Sequence, residues 1–197
     1  MATQTSSDVE NLPVDLRDHK LHRGWSFWMK DPNINSSKWD DSLINICTVG
    51  SVVEFWQALN YLQLPYKLDR NADYYFFQKD VRPVWEDSAH NNGGFWALTI
   101  RTEDNLNQYW INTLLAMVGE QFYDDNEGDL NDTITGCRIQ IRSAYISKSE
   151  RRDKMTLWTR NTYNESRKNA IGDTWKRVLD CQNEKINYHR NDEKSHN

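Results

Sequence analysis

The segment Arg82-Pro83-Val84-Trp85-Glu86-Asp87 sets an indole beside a carboxylate in a turn-rich stretch. An indole face attracts a flat cationic ring, and a neighbouring carboxylate accepts a pair of N–H donors from that ring's edge. Guanine methylated at N7 is such a ring: its charge strengthens stacking, and its Watson-Crick edge still presents N1–H and the exocyclic amine. Recognition of this kind needs a second indole to close the stack and cations to hold phosphates.

The second indole is expected at Trp39, in the polar run Asn35-Ser36-Ser37-Lys38-Trp39-Asp40-Asp41. Taken singly, each residue has a plainer reading. Trp39 folds back on the domain as often as not, Trp85 is ordinarily core or rim, and Glu86 ordinarily solvated surface. Two indoles on separate loops, one beside a carboxylate, favour a clamp. The cations are expected on a long hairpin, with Arg142 on one strand, Lys154 on the other, and Lys148, Arg151 and Arg152 near the tip. Such a run alone reads as a solvated face. Beside an indole pair, a triphosphate accounts for it better, because arginine grips phosphate oxygens bidentately and lysine acts as a mobile point charge.

The charge distribution agrees with a small anionic ligand. The 197-residue chain has a net charge of −5, which argues against broad nucleic-acid binding. Residues 123 to 135 hold Asp124, Asp125, Glu127, Asp129 and Asp132, whereas residues 137 to 160 hold Arg138, Arg142, Lys148, Arg151, Arg152, Lys154 and Arg160 against Glu150 and Asp153. An acidic protein with one basic hairpin suits a compact anion better than a duplex. Cys47, Cys137 and Cys181 are widely spaced and form no C-x-x-C pair, so buried free thiols are expected rather than disulfides or a metal site. No secretory leader or membrane-length apolar run is present, pointing to a cytoplasmic or nuclear monomer with no membrane association and no cofactor. The sequons at Asn35, Asn131 and Asn164 are then chance matches. His19, His22, His90, His189 and His196 lie in polar or terminal stretches, and no nucleophile–base pair or phosphate-cradling Gly-rich loop appears, so an enzyme is the weakest reading.

One domain, residues 19–189, is expected between flexible tails at 1–18 and 190–197. Aromatic and β-branched runs predict strands over Trp25–Met29, Leu43–Thr48, Asp73–Gln78, Phe95–Arg101, Cys137–Ser147, Lys154–Thr159 and Lys185–His189. Helical spacing marks three stretches. Val52–Leu62, N-capped by Ser51, places Val52, Phe55, Trp56, Leu59 and Leu62 on one face, and Ile171–Leu179 does the same with Ile171, Trp175, Val178 and Leu179. The helix from about Asn105 to Phe122 carries two stripes. Leu106, Trp110, Leu114 and Met117 suit a sheet; Ile111, Leu115, Val118 and Phe122, offset by roughly 100°, must meet neighbouring helices or an outside partner. The order of elements implies an α+β domain with helices on one face of an antiparallel sheet.

Trp85-Glu86, Gly93-Gly94-Phe95-Trp96, the run Trp110 to Glu120, and Val52 with Phe55-Trp56 together resemble the eukaryotic translation initiation factor 4E family of mRNA cap-binding proteins. The likeness runs from about His19 to Leu179. It implies a curved antiparallel sheet backed by three helices on its convex face, with 7-methylguanine held between Trp39 and Trp85. Glu86 would accept from the base edge, Trp158 would touch the methyl group, and Arg142 and Lys154 would bind the triphosphate. It also implies a convex-face site at His19, Val52, Trp56, Ile111, Asn112 and Leu115 for the Tyr-x-x-x-x-Leu helix of scaffold factor 4G and 4E-binding proteins. Several positions depart from that pattern. His19-Lys20-Leu21 stands for His-Pro-Leu, Asn112 for an acidic residue, and Ala144 and Phe95 where basic residues are frequent, with Lys148, Arg151 or Arg152 expected to compensate. A cap-binding repressor of the divergent 4E-homologous branch, or a carbohydrate-binding module displaying indoles, are the alternative readings.

Overall fold

The computed structural model describes residues 19–30, 42–142, 152–161 and 164–191. Seven antiparallel strands form one curved sheet: β1 (Lys20–Lys30), β2 (Leu43–Ser51), β3 (Asp73–Gln78), β4 (Gly94–Ile100), β7 (Ile134–Gln140), β8 (Asp153–Thr159) and β9 (Ile186–Arg190), in the spatial order β2-β1-β3-β7-β8-β4-β9. Helices α1 (Val52–Tyr61), α2 (Glu103–Val118) and α3 (Glu165–Leu179) accompany it, and β5 (Tyr123–Asp124) pairs with β6 (Gly128–Asp129) in a separate small hairpin. The α+β expectation of an antiparallel sheet with three helices therefore describes the chain.

Alternation along the strands divides the sheet into two chemically different faces. In β3, Tyr74 and Phe76 join the main core with Phe27 of β1, Cys137 and Ile139 of β7, and Met155 and Leu157 of β8. The helices supply Phe55 from α1, Leu106, Trp110, Leu114 and Met117 from α2, and Ile171 and Trp175 from α3 to the same core. The intervening residues point away from the helices. Tyr75, Phe77 and Trp158 form a second apolar cluster there, with Val81 of the following loop, while Asp73 and Arg138 make that face polar nearby.

Local chemistry explains where the helices begin and end. Ser51 caps α1, its hydroxyl accepting from the Glu54 N–H at 3.3 Å, and Glu54 reaches back to the Gly50 N–H at 2.7 Å. That backbone bond, the largest influence on it, lowers the Glu54 pKa. On α1 the expected single apolar face splits, because Phe55 alone is fully buried and Val52 and Trp56 stay exposed. α2 stops at Val118 rather than Phe122: Gly119 takes the C-cap, Glu120 turns left-handed at φ 51, and Phe122 folds into the core. Its N–H is held by the Asn131 side chain at 3.1 Å. α3 begins six residues before the apolar pattern, at Glu165, because Asn164 caps a polar first turn, accepting from Arg167 N–H at 3.0 Å.

Several further expectations change. The acidic run contains the β5–β6 hairpin, whose turn seats Asp124 as an acceptor for the Asn126 and Glu127 N–H groups. β1 extends through polar residues to Lys20, anchored by Arg23 to Glu120 at 2.9 and 3.0 Å. At the other end, Arg190 belongs to β9 rather than to a tail, and Asn191 donates its backbone N–H to Gly93 and its side-chain amide to the His90 carbonyl. Residues 1–18 and 192–197 of the expected tails lie outside the described residues. Asn131 is buried and hydrogen-bonded, which leaves no room for a glycan. Cys137 and Cys181 are buried free thiols and Cys47 is half-buried; burial raises the pKa of all three.

Gly136 sits where β7 carries the Phe77 ring over its backbone, and a methyl group there would overlap that ring. Gly136→Ala should cost about 1–3 kcal/mol of stability by overpacking. Calorimetric unfolding should show the lowered Tm, and an unchanged Tm would mean that Phe77 is free to move aside.

Candidate functional site

Cross-strand register arranges the open face in three tiers about 7 Å apart along the strands. The first aligns Phe77 of β3, Gly136 of β7, Trp158 of β8 and Phe95 of β4. The second aligns Trp28, Tyr75, Arg138 and Thr156, and the third Lys30, Asp73, Gln140 and Lys154. The face therefore grades from aromatic to cationic.

At the aromatic end Trp158 stacks on Phe95, with centroids 5.3 Å apart and planes at 26°, and meets the Phe77 ring edge-on at 5.7 Å. Its indole N–H donates to Thr156 Oγ1 at 3.0 Å, which fixes the ring orientation. The His90 ring lies 4.9 Å from Trp158 and ties the 79–93 loop to this end. His90 is fully buried, contrary to the expectation of a polar-stretch histidine, with Nδ1 2.7 Å from the Val84 carbonyl and Nε2 3.0 Å from Thr135 Oγ1. Only the spacing of apolar residues around it could have signalled this, and none exists in Ser88-Ala89-His90-Asn91.

Trp85 and Glu86 follow Val84 directly. Asp87 braces their turn, its carboxylate accepting from the Arg82 N–H at 3.0 Å and the Ala89 N–H at 2.9 Å. The turn therefore has a fixed base and an open apex: Trp85 is 49 % exposed and Glu86 is exposed. The Trp85 indole N–H donates to the Glu86 carboxylate. The two groups are thus within reach of one another, and the carboxylate keeps lone pairs for further donors. Trp39, the second wall of the expected clamp, lies outside the described residues.

At the cationic end Asp73, fully buried, accepts from Arg138 Nη2 at 2.5 Å and Arg142 Nη1 at 2.9 Å. Tyr75 donates to the same carboxylate at 3.3 Å, and burial raises its hydroxyl pKa well above the ordinary value, so it remains a donor. Arg138 also lies 5.0 Å above the Tyr75 ring. The Gln140 amide is assigned with its oxygen toward both guanidiniums, accepting from Arg138 Nη2 at 2.5 Å and Arg142 Nη2 at 2.8 Å. Asp153 holds the Arg142 backbone N–H at 2.7 Å, and neighbouring Lys154 is exposed. The structure thus brings Arg142 and Lys154 together at one end. Arg152 is exposed beside them, and Lys148 and Arg151 lie outside the described residues. Asp73, Tyr75, Arg138 and Gln140 were missed by sequence reasoning, although their alternation with Tyr74, Phe76 and Ile139 marked them as facing away from the core.

The candidate partner surface occupies the other side of the molecule. The His19 carbonyl accepts from the Val52 N–H at 2.9 Å, joining the starts of β1 and α1. Val52 is 38 %, Trp56 45 % and Leu115 37 % exposed, whereas Ile111 packs partly on the core. Asn112 spends its amide locally, donating to the Val178 carbonyl at 3.3 Å and accepting from Gln108 at 2.6 Å.

The family model for eukaryotic initiation factor 4E matches residues 20–197. Eukaryotic translation initiation factor 4E-1 of Lactuca sativa is 37 % identical over 180 residues, covering 90 % of this chain and 71 % of its own. The isoform 4E of Solanum lycopersicum is 34 % identical over 206 residues, covering 98 % and 94 %. Among solved structures, Ascaris suum eIF4E-3 with an m2,2,7G cap superposes with a TM-score of 0.76 at 29 % identity over 87 % of this chain and 91 % of its own. Caenorhabditis eIF4E-3 with the 4E-binding protein Mextli and a cap analog gives 0.79 at 30 % identity over 91 % and 96 %.

Burial lowers the His90 pKa from its ordinary 6.5, with the Val84 carbonyl opposing. The native state therefore binds this proton less readily than the unfolded chain. Its stabilising contribution is complete above about pH 6.5 and declines as pH falls below that value. Thermal unfolding between pH 7.5 and 5 should show a steeper loss of Tm for the wild type than for His90→Gln; parallel curves would contradict the assignment.

Proposed function

This chain belongs to the eukaryotic initiation factor 4E family, and we propose that it binds the 7-methylguanosine cap of mRNA on the open face while recruiting translation partners through the helical one. The observation that carries the reading is the gradient from Trp158 to the Asp73-held arginines, with the Trp85–Glu86 turn pinned at its aromatic end through His90. A cap is graded in the same way, from cationic base to anionic triphosphate. The solved relatives carry a cap or cap analog, and one also a 4E-binding protein.

The base stacks on Trp85, closed by Trp39, with Glu86 accepting from N1–H and the exocyclic amine and Trp158 near the methyl group. Each aromatic contact contributes about 1–3 kcal/mol, and the ring's charge adds about 0.5–2 kcal/mol per face. Arg142 and Lys154, with Lys148, Arg151 and Arg152 of the hairpin, take the phosphates through charge-assisted, salt-sensitive bonds. Every contact is reversible and no bond is made or broken, so this is a binding protein rather than an enzyme.

On the helical face Val52, Trp56 and Leu115 present the apolar area that a Tyr-x-x-x-x-Leu helix covers, flanked by His19 and Ile111. Asn112 offers no carboxylate and its amide is already engaged, so a basic residue on the partner gains no ion pair there.

Calorimetric titration with 7-methyl-GTP should show that Trp85→Ala, Trp39→Ala or Glu86→Ala weakens binding by at least about tenfold, the scale of one lost stacking or charge-assisted contact, with the fold retained. Unchanged affinity in the Trp85 or Glu86 variant would reject the site. Trp56→Ala should keep cap affinity and abolish capture of a Tyr-x-x-x-x-Leu peptide from scaffold factor 4G; a peptide still captured would reject the second surface.

A further inference from the structure

Arg138 occupies the middle tier, between the aromatic end and the Gln140–Lys154 end, and shares the Asp73 carboxylate with Arg142. The Asp73 carboxylate is fully buried and touches two guanidiniums, one 18 % and one 35 % exposed. Asp153, also fully buried, holds the Arg142 backbone N–H, so among the described residues two carboxylates lie beside Arg138, Arg142 and Lys154. The Tyr75 ring beneath Arg138 and the neutral Gln140 amide against it fix the side chain. Both guanidiniums keep part of their surface open to solvent, from which an anion can reach them. Guanidiniums fixed in place and partly open before a ligand arrives suit an anion whose oxygens match their spacing.

The register decides which anion fits. Trp158 and Arg138 stand on adjacent tiers, and Lys154 stands one tier further on. A ligand with its base at the Trp85–Trp158 end lays its first phosphates across Arg138 before its last reach Arg142 and Lys154. Resting on the cap reading above, we infer that Arg138 is a guanidinium ligand of the phosphate chain nearest the ribose, and that Asp73 positions Arg138 and Arg142 as a fork spanning successive phosphates. Arg138 thereby sets the preference for a nucleotide over a nucleoside.

The test uses the full chain as wild type, Arg138→Gln and Arg138→Lys, titrated with 7-methylguanosine, 7-methyl-GTP, unmethylated GTP and inorganic tripolyphosphate at low and high salt. Arg138→Gln should weaken 7-methyl-GTP and tripolyphosphate binding at least tenfold, reduce the salt dependence, and leave the nucleoside within twofold of wild type. Arg138→Lys, which keeps the charge and loses the planar fork, should recover part of the loss. The ratio of 7-methyl-GTP to nucleoside affinity is read within each variant, so a change in stability does not mimic the effect. Unchanged 7-methyl-GTP and tripolyphosphate binding in Arg138→Gln, or an equal loss for nucleoside and triphosphate, would overturn the assignment. If tripolyphosphate binding depends on Arg138 while the wild type fails to prefer a methylated base, the cap reading falls and the anion receptor stands.

Discussion

A single buried carboxylate, Asp73, organises the polar half of this protein. It begins β3, the strand whose next residues alternate between the helix-covered core at Tyr74 and Phe76 and the open face at Tyr75 and Phe77. By accepting from Arg138 and Arg142 it draws cations from two positions onto one surface, which those guanidiniums would otherwise leave for water. Asp153 adds a second buried carboxylate beside Arg142 and Lys154, and the strand register sets these cations at a fixed distance from Trp158. The gradient from aromatic to cationic follows from alternation and pairing alone.

The same sheet separates the two binding surfaces. Its buried face is filled by α1, α2 and α3, so partner residues Val52, Trp56 and Leu115 stand on the outer side of the helices. Tyr75, Phe77, Arg138 and Trp158 stand on the opposite face of the strands. A partner can dock without touching the nucleotide, and coupling between the two has to pass through the core that Phe55, Phe76 and Trp110 share.

Much of this was legible in the chain. Aromatic and β-branched runs located the strands, Asp73–Gln78 to the residue, because aromatic density in that segment leaves few other conformations. The stripe Leu106, Trp110, Leu114 and Met117 identified the buried face of α2, and Trp85-Glu86 stood out as two chemically complementary neighbours. What escaped depended on long-range contacts. His90 is buried by Trp158, Phe77 and Thr135, which are distant in sequence. Phe122 continues the helical spacing but folds into the core because Gly119 ends the helix first. Arg138 read as one member of a basic run, and only β3 beside it gives that residue a carboxylate and a ring to rest on.

The most direct measurement is a crystal structure of this chain bound to 7-methyl-GTP. The account predicts the base against Trp85 with its edge on Glu86, the methyl group toward Trp158, and the phosphates running over Arg138 to Arg142 and Lys154. A nucleotide bound with its phosphates at the Trp158 end, or on the helical side of the sheet, would contradict it.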